Sequence, residues 1–276
     1  MIETQAMNLQ THSSLITSSF AGGVCHLRLT QPSRRNALSL ELLEALLDTF
    51  SALATDPQVG AIVLSGEGPA FCAGHDLKQL TAARQNADGG EAYFARTFAT
   101  CSQVMQAITG LPQPVIAAVE GLATAAGCQL VASCDLAVAG AQAGFCTPGV
   151  NLGLFCTTPM VAIASNLTQK HALEMLLLGQ VHDAGEAYRF GLVNRVVPAG
   201  EAEACALVLA QQIADKSRAS VRLGKKAFYA TRHLSQAAAY DEASAVMTCN
   251  MLEADAREGI GALLAKRKPV WSHQDG

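Results

Sequence analysis

The chain has 276 residues, half of them apolar, which is enough to bury a large core in one large domain or two smaller ones. Its net charge of −4 and its short basic clusters disfavour a surface that follows nucleic-acid phosphates. Nine cysteines occur without a Cys-x-x-Cys pair, so their spacing fits reduced thiols better than zinc ligands or a disulfide framework. No stretch is long and apolar enough to cross a bilayer.

Strands and helices alternate in the predicted elements up to residue 200. Strands are predicted at 15–19, 24–30, 61–65, 115–119 and 136–139, separated by helices such as those at 39–54, 91–109 and 169–178. This alternation predicts an α/β fold with mostly parallel strands. Beyond residue 200 the pattern changes to Ala-rich helices, at 202–216, 220–231, 234–251 and 254–268.

These patterns divide the chain into three parts. Residues 1–14 are expected to be disordered, residues 15–200 to form the core and residues 201–276 to form a helical region. Residues 1–20 contain no lysine, no arginine and no continuous apolar run, so they fit neither a secretory signal nor an Arg-rich transit peptide. A cytoplasmic location is therefore predicted.

The segment 114–135 combines a buried strand, a small-residue turn and a helix that begins at about Ala126. The strand is entirely apolar, and the turn has no side chain larger than leucine. Helix N-termini present unpaired backbone N–H groups and the positive end of the helix dipole. The turn could therefore hold an oxyanion or a polarised carbonyl. Tight packing of strand against helix explains the same residues equally well.

A second motif, Ala70-Phe-Cys-Ala-Gly-His-Asp-Leu77, follows the strand predicted at 61–65. Together with Pro114-Val-Ile-Ala-Ala-Val-Glu-Gly121 and the later Cys134-Asp135, it resembles the enoyl-CoA hydratase/isomerase family, or crotonase superfamily, in order and spacing. The resemblance covers nearly everything after residue 14. The segment Thr147-Pro-Gly-Val-Asn-Leu-Gly-Leu-Phe-Cys156 also resembles a subgroup of hydratase-domain proteins that lack the standard catalytic glutamates. This subgroup is known from mitochondria as well.

The resemblance implies a particular fold and a particular class of ligand. The fold would be a crotonase-like spiral of ββα turns, followed by a C-terminal helical region that forms trimers. The ligand would be an acyl-CoA thioester, with coenzyme A entering as part of the substrate and no cofactor bound permanently. A homotrimer or a dimer of trimers is expected, with neither nucleic acid nor a membrane as a partner.

The resemblance also assigns the site. The backbone N–H groups of His75 and Ala126 would form an oxyanion hole for the thioester oxygen. The two glutamates of hydratases are replaced here by Gln129 and Gly149, and a third acidic position of some isomerases is Thr157. An amide exchanges no proton near neutral pH, and each acid or base role contributes roughly 10²–10⁴-fold in rate. Hydration is therefore expected to be very slow.

Recognition of coenzyme A is expected from basic residues and their neighbours in three parts of the chain. The resemblance assigns contacts with the carrier to Arg34, Arg35, His75, Asp76, Leu77, Lys78, Lys266 and Arg267. Guanidinium and ammonium groups suit phosphate oxygens through charge-assisted hydrogen bonds. For the arginines and lysines in this set, an ordinary solvated surface is the alternative.

Other side chains in the motifs have alternative roles. The His75 imidazole titrates in a useful range and could act as a general base, although a hydrogen-bonded loop histidine is the commoner role. A thiol near a helix N-terminus could be a nucleophile or a small buried hydrophobe, and four are candidates: Cys72, Cys128, Cys146 and Cys156. Asp76 is expected to cap a helix and Asp135 to precede a strand.

Three functions remain open from the sequence. The first is an enzyme that polarises a CoA thioester for chemistry other than standard hydration, with a base that the sequence does not identify. The second is a non-catalytic module that binds acyl-CoA. The third is a slow enoyl-CoA hydratase in which Gln129 holds a water molecule.

Overall fold

The computed structural model describes residues 14–274, and most of the segment expected to be disordered lies outside this range. Two sheets run through the described residues. One has six strands in the order β1-β2-β3-β4-β6-β9, and the other has three in the order β5-β7-β8. The nine strands are β1 (Ile16–Ala21), β2 (Val24–Leu29), β3 (Ala61–Gly66), β4 (Val115–Val119), β5 (Leu122–Thr124), β6 (Leu136–Gly140), β7 (Gly144–Cys146), β8 (His182–Asp183) and β9 (Arg195–Val197).

The main sheet is parallel except at its first pair. β1 pairs antiparallel with β2, and the pairs from β2 to β9 are parallel. β4 consists of five consecutive apolar residues, all buried, as expected of a strand covered by helices on both faces. The described residues contain eleven α-helices: α1 (Leu40–Ala54), α2 (Leu77–Ala83), α3 (Glu91–Gly110), α4 (Ala126–Ser133), α5 (Thr157–Asn166), α6 (Gln169–Leu178), α7 (Ala184–Phe190), α8 (Ala202–Ala214), α9 (Arg218–Thr231), α10 (Gln236–Leu252) and α11 (Ala254–Leu264).

Helices on the two faces of the sheet enclose two separate apolar clusters. The larger cluster joins one face of the sheet to α1, α3 and α4, and the smaller one joins the other face to α8. α8 contacts the sheet through alanines spaced one turn apart, Ala202, Ala206 and Ala210, all fully buried. The predicted α/β fold class is confirmed.

The remaining C-terminal helices, α9 to α11, bury little of their own surface. No residue of α9 or α10 is buried as a whole in the described chain, although the Lys225 side chain on α9 is. By contrast, α8, which the sequence grouped with them, packs on the sheet. Large apolar side chains on these helices face solvent, among them Phe228, Tyr240 and Leu264. No described helix is long and apolar enough to span a membrane.

Candidate functional site

The two sequence motifs meet through backbone contacts at the edge of the small sheet. Cys72 donates its N–H to the Leu122 carbonyl at 3.2 Å, and Thr124 donates to the Cys72 carbonyl at 3.0 Å. Gly74 has φ +79°, and a Cβ there would lie 2.9 Å from the Thr124 oxygen and 3.3 Å from the Ala126 nitrogen. A Cβ at Gly127 would lie 2.1 Å from the Cys72 oxygen. Glycine at these two positions is what lets the segments approach so closely.

Two backbone donors are left free where these segments meet. Within the described chain, no backbone carbonyl accepts a hydrogen bond from the N–H of His75 or of Ala126. Ala126 is the first residue of α4, where a helix leaves its N–H groups unpaired and its dipole is positive. The preceding Ala125 has φ 51° and ψ −117°, a conformation that costs about 1–3 kcal/mol for a residue with a Cβ. The Ala126 nitrogen lies close to Gly74 at this turn.

The His75 ring lies in an apolar setting. Its centroid is 5.2 Å from that of Phe98, in an edge-to-face arrangement, and neither ring nitrogen has a hydrogen-bond partner among the described residues. Burial lowers the pKa of His75 to about 4. The imidazole is therefore neutral at physiological pH.

Gln129 lies on α4 one turn beyond Ala126 and is only 4 % exposed. Its Oε1 lies 4.0 Å from the Cys101 thiol, a weak contact. The side chain forms part of the wall of a cavity of about 490 Å³ between α3, α4, α5 and α9. We call this space the polar cavity; it is lined by residues that include Ser102, Met105, Gln129, Thr158, Tyr229 and Arg232.

Gly149 is buried in a short 3-10 helix, Pro148–Leu152, and the space beside it is filled. A Cβ on Gly149 would lie 2.9 Å from the Cys156 Sγ and 3.2 Å from both the Cys156 nitrogen and the Leu154 oxygen. The segment that follows folds back, since Leu154 donates its N–H to the Gly149 carbonyl at 2.9 Å. Thr157 begins α5 and is exposed. The Cys156 thiol thus occupies the place where a side chain at 149 would begin.

Five of the residues assigned to coenzyme A line one cleft of about 490 Å³, which we call the Arg34 cleft: Arg34, Arg35, Asp76, Leu77 and Lys78. Asp76 caps α2, accepting hydrogen bonds from the N–H groups of Lys78 and Gln79 at 2.9 and 3.2 Å. Its other oxygen lies 3.6 Å from the Arg34 guanidinium. Three cations against one carboxylate leave the cleft positively charged.

Asn36, which sequence reasoning did not single out, fixes the loop that carries Arg34 and Arg35. Its side chain is fully buried, accepts from the Gln31 N–H, and donates to the carbonyls of Glu67, Ala70 and Phe71 at 2.9–3.1 Å. Asn36 also has φ 52°, which asparagine tolerates better than most residues. Both features depend on the folded backbone and are not visible in the local sequence.

Lys266 and Arg267 lie after α11 and outside the Arg34 cleft. The Arg267 guanidinium forms a two-pronged ion pair with Glu258, with the longer contact at 2.8 Å. Within this chain, that charge is already paired.

The four motif thiols share one property. Burial raises the pKa of all four thiols; that of Cys72 rises to about 12, and those of Cys128, Cys146 and Cys156 are raised as well. They are therefore protonated and poorly nucleophilic at neutral pH. Among the described residues, no group of three or more His, Cys, Asp or Glu side chains could hold a metal ion.

Asp135 links α9 to the core. Its Oδ2 accepts from the Val115 N–H at 2.7 Å and from Lys225 Nζ at 2.6 Å, and its Oδ1 accepts from the Tyr229 hydroxyl at 2.9 Å. Burial raises the pKa of Tyr229, and the Asp135 charge adds to this shift. This is a structural role, in which a buried ion pair holds the helix on the sheet.

Comparisons with known proteins agree on one family. The sequence profile of the enoyl-CoA hydratase/isomerase family matches residues 19–274. A mouse protein named "Enoyl-CoA hydratase domain-containing protein 3, mitochondrial" is 47% identical over 251 residues, which cover 91% of this chain and 82% of the mouse protein. The crystal structure of the human domain-containing protein 3 has a TM-score of 0.88 at 45% identity and covers 93% of this chain and 100% of its own. That of an enoyl-CoA hydratase from Mycobacterium smegmatis has a TM-score of 0.89 at 45% identity, covering 94% and 99%.

The predicted cytoplasmic location is wrong. The mouse relative and its counterparts from rat, zebrafish, human and Xenopus are all named as mitochondrial proteins. The prediction rested on the composition of residues 1–20. Dedicated targeting segments direct proteins to their compartments, so neither this composition nor the fold indicates the location.

Proposed function

Because this chain belongs to the enoyl-CoA hydratase/isomerase family, we propose that it binds an acyl-CoA thioester, with the thioester oxygen held by the N–H groups of His75 and Ala126. The observation that carries this proposal is the pair of unpartnered backbone donors beside Gly74. Such donors stabilise charge that develops on a thioester oxygen, each by about 2.7–4 kcal/mol in enzymes where one has been removed. Both are main-chain groups, so alanine at 126 keeps the donor.

We infer that standard enoyl hydration is slow in this protein. Gln129 offers an amide in place of an acid, and Cys156 packs against the side of Gly149 where a carboxylate would begin. Nearby side chains do not replace the two missing glutamates. The His75 ring packs against Phe98, and its pKa is lowered to about 4. Burial raises the pKa values of the motif thiols, which stay protonated. Neutral imidazole could accept a proton, but a base this weak provides little driving force.

The Arg34 cleft supports recognition of the coenzyme A carrier. Arg34, Arg35 and Lys78 converge there, and Leu77, 55 % exposed, adds an apolar surface beside them. Guanidinium and ammonium groups bind phosphate oxygens, and an exposed leucine can contact the apolar parts of the carrier. Coenzyme A would enter this cleft as part of the substrate.

The second candidate is a module that binds acyl-CoA without turning it over. It is favoured by the absence of a carboxyl group at Gln129 and Gly149 and by the weak basicity of His75. Binding and hydration must therefore be measured separately.

The test combines calorimetric titration of coenzyme A and acetyl-CoA with an assay of crotonyl-CoA hydration by loss of enoyl-thioester absorbance. We expect both ligands to bind, acetyl-CoA more tightly, and hydration to be barely detectable. Ala126→Pro removes the N–H at the first position of α4 and should abolish the preference for acetyl-CoA. Ala126→Gly keeps the N–H and serves as the matched control.

Two results would contradict the proposal. If neither ligand binds, the chain is not an acyl-CoA-binding protein. If crotonyl-CoA is hydrated rapidly, a carboxylate outside the positions of Gln129 and Gly149 must serve the site. Circular dichroism of Ala126→Pro verifies that its loss of preference does not come from unfolding.

A further inference from the structure

The polar cavity lies one helical turn beyond the proposed thioester site on two helices, α3 and α4. On α3, Phe98 contacts the His75 ring, and Ser102, Met105 and Thr109 follow at spacings that keep them on one helical face and line the cavity. On α4, Ala126 carries a free donor, and Gln129 lies one turn further on in the cavity wall. At about 1.5 Å per residue, the stretch from Ser102 to Thr109 is about 10 Å long, enough for an extended acyl chain.

Polar residues outnumber apolar ones in the wall of this cavity, although apolar atoms provide the larger part of its surface. Several of its hydroxyl groups use their protons within their own helices: Ser102 donates to the Phe98 carbonyl and Ser133 to the Gln129 carbonyl. Among the described residues, the Gln129 amide nitrogen has no recorded acceptor. The Gln129 amide can therefore donate a hydrogen bond to an oxygen atom of an acyl group.

The charges at the α9 end of the cavity do not cancel. The Asp135 carboxylate is paired with Lys225 at 2.6 Å and also takes two further hydrogen bonds. Arg232 is paired with no carboxylate in the described chain. Its guanidinium donates to the Ser165 carbonyl at 2.6 Å and lies about 6 Å from the ring centroids of Phe228 and Tyr229. One positive charge therefore remains at this end of the cavity.

We propose that Arg232 selects CoA thioesters whose acyl chain ends in a carboxylate, with the chain lying in the polar cavity between Gln129 and Arg232. This inference rests on the proposed function, since it takes the thioester to be at His75 and Ala126. A guanidinium that still has free N–H groups and is partly shielded by two aromatic rings binds a carboxylate through charge-assisted hydrogen bonds. Arg232 is a specificity residue in this scheme and takes no part in chemistry.

The test is calorimetric titration with pairs of CoA thioesters of equal chain length, with and without the terminal carboxylate: hexanoyl with adipoyl, octanoyl with suberoyl, and decanoyl with sebacoyl. The carboxylated member should bind roughly tenfold more tightly in at least one pair. Arg232→Gln should bring that ratio close to one while leaving the affinity for the uncharged member unchanged. Arg232→Lys, which keeps the charge, should retain part of the preference.

Lys226→Gln is the matched control, because it removes an exposed charge from the same helix outside the cavity, and it should leave the ratio unchanged. Equal affinities within every pair, or an unchanged ratio in Arg232→Gln, would overturn the inference and leave the proposed function standing. Failure of every thioester to bind would overturn the proposed function, and this inference with it.

Discussion

At the scale of single residues, the contact between Gly149 and Cys156 determines what can be rebuilt in this site. A Cβ at position 149 would lie 2.9 Å from the Cys156 sulfur and 3.2 Å from its backbone nitrogen. Overpacking of this kind costs about 1–3 kcal/mol. Putting a glutamate back at 149 is therefore a problem of space as well as of chemistry.

We predict that Gln129→Glu with Gly149→Glu lowers the thermal unfolding temperature and gives little hydration of crotonyl-CoA. Adding Cys156→Ala removes the sulfur and should both recover stability and raise hydration by ~10²-fold or more. Gln129→Glu with Cys156→Ala, which lacks the second carboxylate, is the control and should remain slow. If Gln129→Glu with Gly149→Glu is already stable and active, Cys156 does not prevent a glutamate at position 149 from working.

At the scale of secondary-structure elements, α9 is held on the core by one buried ion pair. Lys225 Nζ donates to the carbonyls of Ile108 and Gln113, each at 2.9 Å, and to Asp135 at 2.6 Å. The Lys225 side chain is 6 % exposed, so its charge is compensated by these acceptors rather than by water. Removing one partner of such a pair leaves the other buried and unpaired.

Lys225→Met should therefore lower the free energy of unfolding by about 3–5 kcal/mol, measured by urea denaturation. Lys226→Met, the same change at the exposed neighbour, should change it by less than about 0.5 kcal/mol. Equal effects of the two substitutions would show that the ion pair contributes no more than a surface lysine.

The elements that sequence patterns predicted are the long ones. The apolar run of β4 and the long helices α1 and α3 lie within a residue or so of their predicted bounds. The strands β5, β7, β8 and β9, each of two or three residues, are too short to show any periodicity and were not predicted. Their existence depends on pairing with distant strands, as when β5 pairs with β7.

The candidate site also contains features that local sequence predicts and features that it does not. The motifs located the turn that carries Ala126 and the loop that carries Gly74, because runs of small residues are visible in the sequence there. Two other features depend on tertiary packing. One is the Cys156 sulfur beside Gly149, and the other is the presence of Gln129 and Arg232 in the wall of one cavity. No local pattern carries that information.

At the scale of the whole molecule, α9 to α11 expose more apolar surface than an isolated subunit would be expected to carry. Phe228, Tyr240, Met247, Leu263 and Leu264 are each at least 60 % exposed. Large exposed apolar patches mark surfaces of association, and these helices lie in the region expected to form trimers.

We predict that size-exclusion chromatography with light scattering will give three or six times the 28.8 kDa mass of one chain. Leu263→Glu with Leu264→Glu should shift the mass towards that of a single chain, since the new charges would be buried on association. Leu177→Glu, an exposed leucine on α6, is the control and should keep the assembly intact. A monomeric wild-type chain would contradict the prediction.

The sulfur beside Gly149 also shapes how this protein can evolve. A single substitution that adds a side chain at 149 first meets the Cys156 thiol, and one that shrinks Cys156 first opens an empty space in the core. Either order passes through a less stable sequence before any benefit is gained. Mutation and selection are therefore more apt to adapt the polar cavity to new ligands than to lead this lineage to a site with two glutamates.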